Sequence, residues 1–119
     1  MDPLQVEKFR TILMEELDRL LAQASISRYE LASEDHQAIE YLDKATVQAD
    51  RAMRLRIRTR ESRLIKKLRL ALDRIETGTY GECDLCGEDI SLKRLEARPV
   101  TTKCIDCKEQ EERQEALSH

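Results

Sequence analysis

From Leu4 to Thr77 the chain runs for 74 residues without a glycine or a proline. Those two residues are the strongest interrupters of regular structure, and the stretch is filled instead with Leu, Ala, Glu, Arg, Lys and Gln, which favour helix. Helix is therefore predicted throughout. As one rod the segment would extend roughly 110 Å at ~1.5 Å per residue, and a lone helix has nothing on which to bury an apolar stripe. Such a chain is expected to fold back on itself.

Two stripes support that expectation. In the first arm Val6, Leu13, Leu17, Leu20, Ala24 and Leu31 recur at three- and four-residue steps, thickened by Phe9 and Ile12. The second arm offers Ile57, Leu64, Ile65, Leu68, Leu72 and Ile75. Both stripes thin between Ser33 and Thr46, where Ser33, Asp35 and Asp43 carry oxygens able to cap a new helix. The tip of the hairpin is placed near residues 35–46. Charge agrees, since residues 15–43 hold eight acids and two bases while residues 51–70 hold nine bases and one acid. Antiparallel arms would set these opposite each other.

The helical pattern stops at Thr77-Gly78-Thr79-Tyr80-Gly81, a cluster of breakers, and the composition changes there. The organisation read from sequence is a coiled-coil hairpin over residues 1–77, a small module over 78–108 and a helical tail over 109–119. The fold class is mainly α.

The module contains all four cysteines. Cys83-Asp-Leu-Cys86-Gly87 and Cys104-Ile-Asp-Cys107 form two C-x2-C pairs separated by 17 residues, the spacing of a four-thiolate zinc site. Two residues between thiolates let one tight turn present both sulfurs to a tetrahedral ion, and Gly87 permits the left-handed backbone that such a turn needs. Four thiolates leave no position open for water, so a single structural zinc is expected at Cys83, Cys86, Cys104 and Cys107. A second use of the same thiols is redox sensing, with zinc expelled on oxidation.

Several function classes fall away. No apolar run approaches the ~20 residues needed to span a bilayer, and Met1-Asp2-Pro3-Leu4 lacks the features of a secretion signal, which points to a cytoplasmic protein. There is no nucleophile and base constellation, no glycine-rich phosphate loop, and no histidine near the cysteines, so enzymatic activity is not expected. The formal charge is −3, and Phe9, Tyr29, Tyr41 and Tyr80 are the only aromatics. That balance disfavours a protein that coats nucleic acid, although the run Arg51, Arg54, Arg56, Arg58, Arg60 keeps a zinc-dependent nucleic-acid binder as the alternative. The plainer reading of that run is a solvated face that also pairs with the acidic arm.

The strings Leu64-Ile65-Lys66-Lys67, Tyr80-Gly81-Glu82-Cys83, Arg94-Leu95-Glu96-Ala97-Arg98-Pro99 and Cys104-Ile105-Asp106-Cys107-Lys108, set on a helical hairpin, resemble the DksA/TraR family from about Phe9 onward. The resemblance implies a non-enzymatic transcription factor that binds bacterial RNA polymerase and no specific DNA sequence. Its coiled coil would enter the secondary channel, an arm of ~30 residues reaching roughly 45 Å. The family's tip pattern, acid-x-x-Asp-x-Ala, matches Glu40-Tyr-Leu-Asp43-Lys-Ala45. Asp43 and Ala45 carry over directly, Glu40 is one methylene longer than the usual Asp, and Lys44 stands where the family has Arg. Without the resemblance, Asp43 reads as a helix N-cap.

The same resemblance implies joint action with the alarmone ppGpp, with Leu64, Lys67, Arg98 and Lys108 at the matching positions and Arg60 at a polymerase-docking position. Cations from separate segments suit a bis-pyrophosphate. Taken alone, Lys67 is one more base on a basic helix, and Arg98 a local partner for Glu96 or Glu88. Family members often carry a longer extension before the first helix, whereas eight residues precede Phe9 here, so its contribution is expected to be absent or reduced. A self-paired hairpin is expected to be a monomer.

Overall fold

The computed structural model describes the backbone of residues 1–41 and 44–118 and the side chains of residues 1–26 and 46–118. Among the described residues the order is α1 (Pro3–Tyr41), α2 (Lys44–Thr77), α3 (Leu92–Ala97) and α4 (Ile105–Leu117). The two long helices take up the described residues of the stretch free of glycine and proline. Asp2 caps the first, its Oδ1 accepting from the Leu4 N–H at 2.9 Å, and Pro3 sits in the first turn, where a missing N–H costs no helical bond. α1 ends and α2 begins inside the 35–46 window. Among the described residues no helix is long and apolar enough to cross a membrane.

α2 ends in a Schellman motif. The Gly78 N–H donates to the Ile75 carbonyl at 3.2 Å and the Thr79 N–H to the Arg74 carbonyl at 2.9 Å, a path that requires the φ of 77° adopted by Gly78. Sequence placed the C-terminal helix from residue 109. It starts at Ile105, with Cys104 as N-cap, so Cys107 lies in its first turn.

Contacts divide the chain into two compact units, Met1–Met14 with Leu68–His119, and Glu15–Lys67. In the first, Phe9 and Leu13 of α1 and Leu68, Ala71 and Ile75 of α2 are buried, together with Tyr80, Cys83, Ile90 and Leu95. The Phe9 and Tyr80 rings lie 5.7 Å apart in a tilted arrangement. Burial of the Phe, Leu and Ile side chains, at about 1.5–3 kcal/mol each, is the main force closing the unit. The ion pairs Lys8–Glu96 and Arg10–Glu76, both 3.7 Å long, sit at the surface and add little.

In the Glu15–Lys67 unit, Leu17 and Leu20 are the buried apolar side chains among the described residues. On α2 the half-buried residues include Arg54, Arg58, Glu61 and Ile65, which follow alternating four- and three-residue steps like the seam of a coiled coil, with Leu64 beside them. Ile57, expected in the stripe, is 48% exposed. The register is continuous with Leu68, Leu72 and Ile75, and counted back from them it selects Arg58 rather than its apolar neighbour. Ile12, at 37% exposure, likewise lies at the margin of its stripe. The side chain of Leu31 lies outside the described residues.

Candidate metal centre

Two knuckles present the four cysteines. The first is built on a narrow turn in which Glu82 and Asp89 form an antiparallel bridge. Across it the Ile90 N–H donates to Gly81 O at 2.7 Å and the Cys83 N–H to Glu88 O at 2.8 Å. The Gly87 N–H closes the turn onto Cys83 O at 3.0 Å, and Gly87 takes a φ of 76° that a side chain would oppose. The second knuckle is the start of α4, where the Lys108 N–H donates to Cys104 O at 3.0 Å. The Asp84 N–H donates to Thr102 O at 2.8 Å and ties the two together.

All four thiols are free of disulfide, and their sulfurs lie within 4.8 Å of one another. The Cys86 and Cys104 sulfurs are 3.7 Å apart. Zinc–sulfur bonds of about 2.3 Å put tetrahedral sulfurs ~3.8 Å apart, so the donor set fits zinc in number, type and spacing. A four-sulfur site is closed, which suits a structural ion and leaves no place for an activated water.

The electrostatics of the cluster point the same way. Burial alone would raise the Cys83 thiol, but the N–H groups of Cys104, Cys86 and Leu85 aimed at its sulfur outweigh that and bring it down to about 6. The Glu88 N–H draws Cys86 down, yet burial and the Cys83 and Cys104 sulfurs leave it raised. Cys107 is pushed well up by the Cys104 and Cys83 sulfurs and by burial. One thiolate is prepared by the backbone; four at this spacing need a divalent cation.

Of the other residues singled out in the sequence, Arg98 and Lys108 belong to the same unit as the cysteines. Arg98 is exposed and caps α3 through its backbone N–H to Arg94 O. Neither Glu96 nor Glu88 pairs with it among the described residues; Glu96 pairs with Lys8. Lys108 is half-buried, 3.8 Å from Glu111. Leu64, Lys67 and Arg60 belong to the Glu15–Lys67 unit, Leu64 half-buried and the two cations exposed. The side chains of Glu40, Asp43 and Ala45 lie outside the described residues.

Sequence reasoning passed over Tyr80, Arg74 and Arg94. The Tyr80 hydroxyl donates to Pro99 O at 2.8 Å, and burial, partly offset by Arg74, raises its pKa to about 12. Arg94 Nε donates to Lys103 O at 3.0 Å. Arg74 donates to Thr79 O at 3.1 Å and also to Glu82 O. All three side chains act on main-chain carbonyls, which leave no mark in a sequence.

Comparison with known proteins covers both parts of the chain. The profile of the DnaK suppressor protein DksA N-terminal domain matches residues 5–75, and that of the prokaryotic dksA/traR C4-type zinc finger matches residues 78–113. An RNA polymerase-binding transcription factor DksA from Caulobacter vibrioides is 37% identical over 117 residues, 98% of this chain and 82% of the relative. The protein of that name from Haemophilus influenzae is 38% identical over 104 residues, 87% of this chain and 72% of its own length. The solved structure of transcription factor DksA2 from Pseudomonas aeruginosa superposes with a TM-score of 0.85 at 34% identity, covering 98% of this chain and 89% of that one.

Proposed function

The chain belongs to the DksA/TraR family, whose members are transcription factors and not enzymes, and on that premise we propose that it regulates transcription by binding bacterial RNA polymerase. Its hairpin enters the secondary channel and carries the Glu40, Asp43 and Ala45 segment toward the catalytic centre. Segments 1–77, 78–108 and 109–119 then act as probe, zinc-held platform and tail of a cytoplasmic monomer. The observation that carries the reading is one chain joining two long helices to a four-sulfur centre, matched to a relative over 98% of its own length.

The mechanism follows from differential binding. A factor that favours one polymerase conformation shifts the balance between closed and open promoter complexes, so promoters with short-lived open complexes respond most. Asp43 supplies a carboxylate at the end of the hairpin and Ala45 the small side chain that permits close approach. Arg60 docks the second helix, while Leu64, Lys67, Arg98 and Lys108 meet ppGpp, whose phosphates suit the three cations.

The test is transcription from a ribosomal RNA promoter by the cognate polymerase, with and without ppGpp. Asp43→Asn is expected to bind polymerase like wild type and to lose most of the inhibition, and Lys67→Ala to lose the ppGpp enhancement alone. Equal loss of binding and effect in Asp43→Asn would remove the regulatory tip. One observation favours a second reading, nucleic-acid binding: Arg56, Arg60, Arg63 and Lys67 are exposed on α2. That reading demands affinity for free RNA or DNA that falls steeply with salt.

A further inference from the structure

The metal centre is approached by two peptide groups that share one arrangement. The leading cysteine of each pair, Cys83 and Cys104, follows a residue whose carbonyl accepts from an arginine side chain on a different element. Arg74, in the last turns of α2, donates to Glu82 O. Arg94, in α3, donates through Nε to Lys103 O at 3.0 Å. Both arginines are half-buried.

The N–H end of each peptide is also held. The Cys83 N–H donates to Glu88 O at 2.8 Å, and the Cys104 N–H points at the Cys83 sulfur. Each plane is thus held at both ends, which places the Cα of the following cysteine and leaves φ and the side-chain rotamer alone to aim its sulfur. We propose that Arg74 and Arg94 are positioning residues of the zinc centre, each orienting the peptide that presents the first sulfur of its knuckle, so that the folded unit holds Cys83 and Cys104 where the ion needs them.

The inference rests on the zinc reading of the cluster and adds residues that are not ligands. Outer partners of ligands set affinity because they hold donor atoms where the ion needs them, and losing one typically weakens binding about 10–100-fold. Arginine suits the task, since its rigid planar fork gives a directed N–H where lysine gives a mobile point charge. Arg74 extends the hold into α2. Its own carbonyl accepts from the Thr79 and Tyr80 N–H groups at 2.9 and 3.1 Å, and its guanidinium donates to Thr79 O at 3.1 Å. One residue therefore closes the helix and steadies the knuckle that follows it.

The experiment titrates full-length metal-free protein with zinc in competition with a chromophoric chelator, for wild type, Arg74→Ala, Arg94→Ala and Arg113→Ala. Arg113 serves as the control because its Nε donates to Glu109 O within its own helix, at 3.5 Å. The expected result is zinc affinity about 10–100-fold weaker in the first two variants and unchanged in the control. Saturating cadmium should still give wild-type sulfur-to-metal absorption and helicity, showing that the ligands remain and only their readiness is lost.

Should truncation unfold the unit, Arg74→Gln and Arg94→Gln keep a neutral side-chain donor, and affinities between wild type and a tenfold loss support the proposal. Wild-type affinity in all four Arg74 and Arg94 variants overturns it, and so does an equal loss in Arg113→Ala. A wild type that binds no zinc overturns the zinc reading itself.

Discussion

The unit that carries the cysteines buries nine side chains, from Phe9 to Leu95, whereas the Glu15–Lys67 unit buries two among its described residues, Leu17 and Leu20. In the first, aromatic, aliphatic and thiol groups from both long helices and the cysteine module meet in one core. In the second, the seam on α2 passes through Arg54, Arg58 and Glu61, which are half-buried. One unit is specified by close packing and a metal. The other, among its described residues, buries little apolar surface and leans on helix propensity and on local pairs such as Arg19–Glu16 within α1, interactions that are individually weak.

The most damaging test of this contrast is Cys83→Ser. Structural zinc contributes on the order of 10 kcal/mol of folding free energy, so the cysteine-bearing unit should lose zinc and tertiary structure while much of the long-helix signal survives. Metal analysis and circular dichroism measure both. Next, Leu13→Ala should cost about 2–5 kcal/mol, because Leu13 is fully buried. Ile57→Ala should stay within about 0.5 kcal/mol despite removing an equally apolar side chain, and denaturant unfolding separates them.

Replacing a seam cation sharpens the comparison from the other side. Arg58→Leu is expected to raise stability by about 1 kcal/mol, by exchanging a half-buried guanidinium for apolar contact; a lowered melting temperature would show that the charge itself holds the seam. An effect of similar size and opposite sign belongs to Tyr80→Phe, which removes the bond to Pro99 O and should cost about 1 kcal/mol at neutral pH. The pH dependence has a definite sign. Burial favours the neutral phenol in the fold and raises its pKa from 10.0 to about 12, so that contribution is complete below pH 10 and is lost as pH rises toward 12. In Tyr80→Phe this alkaline loss should be missing from unfolding curves taken across that range.

Much of this was legible in the sequence, for physical reasons. The absence of Gly and Pro from Leu4 to Thr77 constrains every residue of two helices at once, and the cysteine spacing is dictated by the size of the ion. The register of the second stripe was not legible from hydrophobicity alone. Ile57 is apolar, but the seam is set by the well-packed positions at Leu68, Leu72 and Ile75 and continues from them at coiled-coil spacing whatever residue it meets. The start of α4 was hidden because Cys104 and Cys107 read as ligands, and nothing in a ligand pattern says that the same residues open a helix. The hydrogen bonds of Arg74 and Arg94 were invisible since their acceptors are carbonyls, which every residue has.

α4 places Cys104 at its N-cap and Cys107 in its first turn, and none of its residues is buried. A helix of 13 residues standing largely on the surface is marginal by itself in water. Its ordering is therefore drawn from the two sulfurs at one end, and the ion that joins them to Cys83 and Cys86 also sets whether this helix exists. Metal occupancy becomes readable as far-UV helicity and as resistance of the segment beyond Cys107 to proteolysis, which makes the C-terminal helix a gauge of whether the protein is loaded.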